Sequence, residues 1–328
     1  MVFGPPCPTT LRGVALVRGL VQASLGDHDF IHENEVDGLG RSWQNRSRET
    51  CVFFSDCPDR RIVDVVLSGA TPAILFAETP PELVRYAMDA MYFPAFDSVR
   101  LVTKHLSIFH DIFVRKDFLM IRRTVGSIYD VIEAICATFR LTVSADARRE
   151  ICRRIVGLDA SDTPFMPPPD DDFRSSDRID PASRSLMITT LECFQPMYRH
   201  REVGVMEWAP TGFLTTEPAG APYSGPIELV GPARMLIYGP YLHLPLGRWT
   251  ATIQIEVGDN QSGNVLVVDV FGGVERQMIK ANLPAQGRFE FTMPIVVNDL
   301  NAPVEIRFVI AQGAIGGWFN LLGVTVAR

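Results

Sequence analysis

The stretch Arg248–Val257, in the C-terminal third of the chain, reads Arg-Trp-Thr-Ala-Thr-Ile-Gln-Ile-Glu-Val. Apolar side chains occupy every second position from Trp249 onward, and mostly polar side chains fill the positions between them. Successive side chains of a strand point to opposite faces, so this alternation predicts one buried and one solvated face. Trp249 shares the parity of Ile253 and Ile255, and we expect it to pack in the core.

Similar short strands are predicted on both sides of this stretch. They lie near Arg234–Tyr238, Val265–Phe271, Arg288–Met293, Val304–Ile310 and Leu321–Val326. Segments rich in Gly, Pro, Asn and Asp separate them, as expected of turns. Short alternating strands at this spacing predict an all-β domain, a sandwich or jelly roll, over residues 226–328.

The pattern changes in residues 1–202, where short apolar runs alternate with helical segments. Val2-Phe3, Ala73–Ala77 and Phe118–Ile121 are apolar runs, which are typical of strands buried on both faces of a parallel sheet. Helical periodicity follows each run, with Thr79-Pro80-Pro81-Glu82 as a helix start. Strands that alternate with helices predict an α/β domain with a parallel sheet.

Three polar segments are predicted to be irregular. Residues 37–60 are Arg-rich and are predicted to form a long loop or lid. Residues 159–183 contain three consecutive prolines and three consecutive aspartates, which predict a solvated loop. Residues 203–225 include a Pro/Gly-rich stretch and are predicted to link the α/β domain to the sandwich.

The composition of the 328 residues narrows the functional classes. The chain is 47% hydrophobic and 21% charged, as in folded proteins, and its net charge of −7 argues against a nucleic-acid or anionic-membrane partner. No apolar run approaches the ~20 residues of a membrane span, and the N-terminus lacks the pattern of a signal peptide. All six cysteines precede the predicted sandwich. The sandwich can therefore contain no internal disulfide, and disulfide frameworks are typical of much shorter chains. We expect reduced thiols in a cytoplasmic protein.

The first strand and helix, Phe3–Val21, have the geometry of a phosphate cradle, because a helix N-terminus offers free N–H groups. Thr9 and Thr10 supply hydroxyl donors there. A phosphate loop also needs glycine and a cation, whereas this turn contains Cys7-Pro8, and proline has no N–H. A phosphate site and a simple strand–helix corner both remain open.

The segment Gly-Pro-Pro-Cys-Pro-Thr-Thr-Leu, residues 4–11, resembles the sulfotransferase loop that binds the 5′-phosphosulfate of the donor 3′-phosphoadenosine 5′-phosphosulfate. Residues 74–80 with Tyr86 resemble the second donor motif of that family. Residues 118–122 resemble its later strand, and residues 139–141 resemble the helix end before its phenylalanine-leucine-glycine turn. The resemblance covers about residues 2–200 and implies a sulfotransferase-like α/β fold.

The departures from that family concern the donor site. The loop lacks its basic residue and its glycine, Glu78 stands where the family has the arginine for the 3′-phosphate, and Tyr86 stands where it has serine. A carboxylate repels an anion that arginine would bind by charge-assisted hydrogen bonds. The resemblance therefore implies a degenerate relative that does not use this donor in the ordinary way.

Candidate reactive residues follow from the same resemblance. His28, His32, Glu33 and Glu35 form a dense polar cluster, and His32 or Glu33 suits the base that sulfotransferases need beyond the second strand. A surface loop and a metal site are the other interpretations of this cluster, although its spacing fits no standard metal motif.

Basic residues provide further candidates for the donor. Under the transferase alternative, Thr9, Thr10, Lys104 and Arg122 would bind it. Lys104 belongs to a wider group of basic and His side chains, which form either an anion pocket or a solvated helix face. That group consists of Lys104, His105, His110, Arg115, Lys116, Arg122 and Arg123.

Aromatic residues of the sandwich suggest a ligand face. Residues 226–328 resemble, in strand pattern, the jelly-roll modules of bacterial glycan-modifying enzymes, some of which bind carbohydrate. Tyr238 and Tyr241 flank Gly-Pro, and Trp318 follows Gly-Gly, so these rings are candidates to stack on sugars, with His243 as a polar neighbour. Packing in the core or at an interface is the alternative for the same rings.

Together these observations predict a glycan- or glycoconjugate-binding protein with an inactive sulfotransferase-like domain. The alternatives are transfer of a sulfuryl group to a carbohydrate hydroxyl and an assembly role for the sandwich, including a homo-oligomer. We expect no metal, and a cofactor, 3′-phosphoadenosine 5′-phosphosulfate, only under the transferase alternative.

Overall fold

A computed structural model describes residues 1–123, 126–157, 163–167, 179–261 and 263–328. Most of the loop predicted at 159–183 lies outside the described residues. The chain divides into two compact units. Over its described residues, the first comprises Met1–Met91, Ile108–Ser175 and Met197–Arg201, and the second comprises Tyr92–Ser107, Ser176–Pro196 and Glu202–Arg328.

A parallel sheet forms the centre of the first unit. In the described residues its strands are β1 (Val2–Phe3), β2 (Asp29–His32), β3 (Cys51–Ser55), β4 (Ile74–Ala77) and β5 (Leu119–Arg122). They lie in the order β2-β3-β1-β4-β5, and every neighbouring pair is parallel. The order places β1 in the middle of the sheet, with both of its side chains fully buried. This arrangement confirms the predicted α/β class.

Helices follow these strands, and the last of them belongs to the second unit. They are α1 (Pro8–Leu25), α2 (Val36–Gln44), α3 (Arg60–Leu67), α4 (Pro80–Ala90), α5 (Ala95–Phe113), α6 (Ile128–Phe139), α7 (Ala145–Val156) and α8 (Pro181–Glu192). Apolar faces of α1, α6 and α7 share one buried cluster with the sheet, including Leu20, Ile135, Ile151 and Phe76. None of the helices in the described ranges is long and apolar enough to span a membrane.

The prediction of an irregular loop at residues 37–60 is wrong. Most of α2 and all of β3 lie there, and β3 pairs with both β1 and β2. Val52, Phe53 and Phe54 of β3 are buried. Only three consecutive apolar residues mark this strand after Cys51, and the charged residues around it hide so short a run.

The second unit contains an antiparallel β-sandwich, as predicted. Its strands in the described residues are β6 (Met206–Trp208), β7 (Leu214–Thr216), β8 (Ala219–Pro222), β9 (Ile227–Glu228), β10 (Arg234–Leu242), β11 (Gly247–Gly258), β12 (Val265–Phe271), β13 (Arg276–Asn282), β14 (Gly287–Val297), β15 (Val304–Ile310) and β16 (Trp318–Ala327). One sheet has the order β13-β12-β15-β10-β7-β8, and the other has β14-β11-β16-β6, with β9 also paired to β16.

The sandwich core lies between the two sheets, where their apolar rows meet. Trp249 is 2% exposed and its Nε1 donates a hydrogen bond to the carbonyl of Pro245 at 2.9 Å. Phe308 of β15 and Phe319 of β16 join the two sheets, with ring centroids 5.6 Å apart. The alternation in β11 therefore predicted the buried face correctly, including the position of Trp249.

Several strands of the sandwich carry no signal in the sequence. β6, β7 and β8 lie within residues 203–225, where a linker was expected, yet β6 pairs with β16 and β7 pairs with β10. These strands have three or four residues each, too few for a visible alternation. β13 is an edge strand whose side chains are mostly exposed, so it lacks an apolar row.

Candidate functional site

The turn between β1 and α1 is filled by its own side chains. Cys7 caps α1, because its Sγ accepts a hydrogen bond from the backbone N–H of Thr10. Cys7, Thr9 and Thr10 are fully buried, and a Cβ added to Gly4 would lie 2.4 Å from Thr10 Oγ1. Burial raises the pKa of the Cys7 thiol to about 11. The helix N-terminus is thus closed by a neutral thiol and two buried hydroxyls.

Glu78 lies beside this turn, directly after β4, and is 1% exposed. The hydroxyl of Thr9 donates to Glu78 Oε2, and Tyr198 donates its hydroxyl to the Glu78 carbonyl at 2.5 Å. Arg123 Nη1 lies 3.3 Å from Glu78 Oε2 and 3.2 Å from Glu82 Oε2. We call these five residues, Thr9, Glu78, Glu82, Arg123 and Tyr198, the Glu78 cluster.

The electrostatics of the Glu78 cluster disfavour a phosphate. It contains two carboxylates and one guanidinium, and Glu82 also pairs with Arg85 at 3.4 Å. Burial raises the pKa of Tyr198 well above its ordinary value, which keeps that phenol neutral. Ligands of doubly wound sheets bind beyond the carboxyl ends of adjacent strands whose connections run to opposite sides. The ends of β1 and β4 form such a place here, and Glu78 fills it.

We therefore expect no appreciable binding of 3′-phosphoadenosine 5′-phosphate to the chain. Bound phosphate would have to displace a buried carboxylate and compete with it for Thr9 and Arg123. Calorimetry at low salt is the most sensitive test, because electrostatic screening is then weakest. A thermal melt of the same sample checks that the protein is folded. Micromolar affinity would contradict this prediction and support the transferase alternative.

His32 ends β2 and Glu33 follows it, and neither residue belongs to the Glu78 cluster. We call the polar residues after β2, from His32 to Asn34, the polar rim. His32 is exposed, its Nε2 lies 3.4 Å from Asp56 Oδ1, and its ring packs on Phe54. Glu33 accepts a hydrogen bond from Ser42 at 3.0 Å. Neither side chain shares a hydrogen bond or ion pair with Thr9 or Thr10 in the described residues.

Asn34, which the sequence interpretation passed over, organises this rim. Its Oδ1 accepts from the Ser55 hydroxyl at 2.6 Å and from the backbone N–H groups of Asp56 and Cys57. Its Nδ2 donates to Asp56 Oδ1 at 2.8 Å. Asn34 thus joins the end of β2 to the end of β3, which is a structural role for the polar cluster after β2.

The group of basic and His side chains, for which an anion pocket and a solvated helix face were both open, is divided between separate neighbours. Arg122 is exposed and donates to the carbonyl of Tyr198 at 3.1 Å, in the first unit. Lys104 belongs to the second unit, where its charge helps to lower the pKa of His243. Arg115 pairs with Asp117 at 2.5 Å. Arg123, a member of the basic group, is the cation that the carboxylates of the Glu78 cluster bind.

The outer face of the six-stranded sheet holds two of the aromatic candidates. Tyr238 of β10 lies directly opposite Arg307 of β15, which lies directly opposite Asp269 of β12. Tyr241 follows on β10, with its ring centroid 6.1 Å from that of Tyr238, and donates its hydroxyl to Glu305 at 2.9 Å. Directly opposed residues share a face. We call Tyr238, Tyr241, Asp269, Glu305 and Arg307 the tyrosine face.

The polar groups of the tyrosine face are held in fixed positions. Asp269 is 2% exposed and accepts from Arg307 Nε at 2.6 Å, from Arg307 Nη2 at 3.2 Å and from Arg276. Hydrogen bonding to Asp269 raises the pKa of Arg307 further. Burial, followed by the bond to Glu305, raises the pKa of Tyr241. The face therefore presents two half-buried phenol rings beside a guanidinium with its orientation locked.

Trp318 and His243 do not join this face. Trp318 is opposite Gly258 of β11, and it alternates with buried Phe319, so it lies on the outer face of the five-stranded sheet. A Cβ on Gly258 would lie 2.3 Å from Trp318 Cζ2, which shows the indole packed against that backbone. His243 is 8% exposed, donates from Nδ1 to the Leu300 carbonyl at 3.0 Å, and has a pKa lowered by burial to about 4. Its imidazole is a neutral core group at pH 7.

The sequence contained one clear sign of the tyrosine face. Asp269 interrupts the apolar strand Val-Leu-Val-Val-Asp-Val-Phe, and a carboxylate in such a strand needs a partner. The partners, Arg307 and Arg276, lie on other strands, so only the strand register could reveal them.

Comparisons with known proteins give weak likenesses. No protein-family model matches the chain, and no curated protein matches it. Among solved structures, the chain is similar to the carbohydrate-binding module TmCBM61 in complex with beta-1,4-galactotriose, at 12% identity and a TM-score of 0.24, over 38% of this chain and 81% of that one. It is also similar to a family 16 carbohydrate-binding module, at 9% identity and a TM-score of 0.25, over 38% and 85% of the two chains.

A longer match has a comparably low score. The chain is similar to BtGH115A, a 4-O-methyl-alpha-glucuronidase with specificity for decorated arabinogalactans, at 8% identity and a TM-score of 0.24, over 92% of this chain and 49% of that one. At these scores the similarities carry no argument about function. Any inference about function rests on the geometry of the chain itself.

Proposed function

We propose that the chain is a glycan- or glycoconjugate-binding protein that uses the tyrosine face. The observation that carries the proposal is the row Tyr238, Arg307 and Asp269, in which an aromatic ring, a cation and a buried carboxylate lie directly opposite one another on three adjacent strands. Carbohydrate sites combine aromatic rings with polar groups. Apolar C–H faces of a sugar pack on an aromatic ring, and its hydroxyls need a few fixed polar partners.

The fixed geometry of the polar groups favours binding over simple packing. Arg307 is held by two hydrogen bonds to Asp269, so little side-chain entropy remains to be lost when a ligand binds. Arg100 covers Tyr241, with its guanidinium carbon 5.2 Å from the ring centroid. Tyr238 is therefore the ring that we assign to stack on the sugar, and Tyr241 packs against the Tyr238 ring.

The transferase alternative has less support. Its donor would need the hydroxyl of Thr9, which Glu78 binds, and its base would be His32 or Glu33 in the rim organised by Asn34. We therefore propose that the α/β domain does not transfer a sulfuryl group. An assembly role for the sandwich would instead appear as self-association without glycan binding.

Tyr238→Ala is expected to weaken glycan binding about two- to tenfold, because a stacked ring contributes about 0.5–1.5 kcal/mol beyond its buried area and 1.4 kcal/mol is one decade. A glycan array with the full chain first identifies a binding sugar, and calorimetry with that sugar measures the affinity. Trp318→Ala is the matched control, because Trp318 is a half-buried aromatic residue on the other sheet.

The proposal fails if no array glycan binds the wild type. It also fails if Trp318→Ala abolishes binding and Tyr238→Ala does not. Size-exclusion chromatography of the same samples reports self-association, so a dimer without glycan binding would support the assembly alternative. Thermal melts of both variants separate lost binding from lost folding.

A further inference from the structure

A cleft of about 300 Å³ lies between α1 and α7, at the edge of the sheet where β2 begins. Arg18 and Gln22 of α1 line it, together with His28 and with Arg154 of α7. Because α1 follows β1 and runs back along the sheet, the cleft is near the end of that helix, whereas the Glu78 cluster is near its start. The cleft therefore belongs neither to that cluster nor to the tyrosine face.

The shape of the cleft follows from residue sizes on one helix face. Ala15, Arg18, Gly19 and Gln22 are spaced three, four and seven residues from the first, so they share one face of α1. A Cβ on Gly19 would lie 3.3 Å from Ile151 Cγ2, so glycine lets α7 approach closely. Ala15 has only a methyl group and Gly19 has no side chain, and together with Ile155 they give the cleft an apolar wall.

The imidazole of His28 lacks a polar partner in the described part of the chain. Both of its ring nitrogens are buried, and neither has a hydrogen-bond partner in the described residues. A buried polar group left unpaired costs about 1–3 kcal/mol, and most such groups in folded proteins are paired. A neutral imidazole always has one N–H donor and a protonated one has two, so a ligand that accepts hydrogen bonds would meet this need.

Two guanidinium groups give the same cleft a positive charge. Arg18 stacks over Phe30, with its guanidinium carbon 4.4 Å from the ring centroid. Neither Arg18 nor Arg154 forms an ion pair with a carboxylate in the part of the chain that the structure describes. The nearby carboxylate of Asp27 accepts from Gln22 at 3.2 Å and pairs with Arg48 at 3.4 Å. No carboxylate is among the described residues that line the cleft.

We propose that the α1–α7 cleft binds a phosphate monoester with a small apolar group. Guanidinium groups donate paired hydrogen bonds to phosphate oxygens, and His28 would donate one more. The apolar wall of Ala15, Gly19 and Ile155 accommodates the organic part. The cleft volume exceeds the space that one phosphate needs, which favours an ester over the free ion.

The test titrates the full chain with phenyl phosphate and with inorganic phosphate at low salt, by calorimetry. Phenyl phosphate is expected to bind more tightly, and Arg154→Gln is expected to weaken its binding about tenfold, since it removes hydrogen bonds to a charged group. Arg153→Gln is the matched control, because it removes the same charge one residue away and its side chain pairs with Glu150 at 2.6 Å.

Arg18→Gln and His28→Asn provide independent variants if Arg154→Gln is unstable in a thermal melt. The proposal is overturned if the wild type binds neither ligand, or if inorganic phosphate binds as tightly as phenyl phosphate. An equal loss in Arg153→Gln would also overturn it, because the binding would then reflect general positive charge. None of these outcomes depends on the tyrosine face.

Discussion

Replacing Arg123 by alanine is expected to lower the free energy of unfolding by about 3–5 kcal/mol, the usual cost of removing one partner from a buried ion pair. Arg123 is the cation that Glu78 and Glu82 share, and its side chain is 11% exposed. Without it, the buried carboxylate of Glu78 loses its guanidinium partner, whereas Glu82 keeps Arg85 at 3.4 Å. The carbonyl of Pro167 also loses its donor, Arg123 Nε. Chemical denaturation followed by far-UV circular dichroism measures the change.

Arg122→Ala is the matched control for this variant. Arg122 is adjacent and exposed, so its loss should change the free energy of unfolding by no more than about 1 kcal/mol. The double variant Arg123→Ala/Glu78→Gln should recover part of the stability, because it removes the buried carboxylate that has lost its guanidinium partner. Equal effects of Arg122→Ala and Arg123→Ala would show that the Glu78 cluster is not a buried ion network.

Trp249→Ala is expected to destabilise the sandwich by about 3–5 kcal/mol, the range for large aromatic residues truncated in a core. The ring is buried between the sheets, its Nε1 bonds to Pro245, and the guanidinium of Arg328 lies 5.0 Å from its centroid. Denaturation followed by the fluorescence of the remaining tryptophans measures the loss, since Trp208 and Trp318 also belong to the sandwich.

Thr250→Ala provides the comparison for Trp249→Ala. Thr250 is the next residue of β11 and is exposed on the other side of the strand. Its replacement should cost less than about 1 kcal/mol, as for most surface changes. A similar loss in both variants would contradict the assignment of alternate residues of β11 to core and solvent.

The sequence predicted those parts of the fold that repeat a simple pattern. The alternation in β11 predicted which residues are buried, and the apolar run at Ala73–Ala77 predicted β4. The strand β13 was missed because an edge strand with exposed side chains needs no apolar row. β3 was missed because its three apolar residues are too few to distinguish from a loop.

The candidate sites were less predictable, because they depend on contacts between distant residues. Glu78 was recognised as a departure from an anion site, but its bond to Thr9, 69 residues away, follows only from the adjacency of β1 and β4. Tyr238 was chosen because it is aromatic and flanks Gly-Pro together with Tyr241. Its neighbours Arg307 and Asp269 depend on the register of three strands. Trp318 was grouped with it because the sequence does not show which sheet each strand joins.

The measurement that most directly tests the account is a crystal structure of the full chain with a glycan selected on the array. The account predicts a sugar ring packed on Tyr238, with hydroxyls bound by Arg307 or its neighbours on the tyrosine face. It also predicts that the turn between β1 and α1 stays closed by Thr9 and Glu78. A sugar bound instead at Trp318, or any ligand in the β1–α1 turn, would contradict the account.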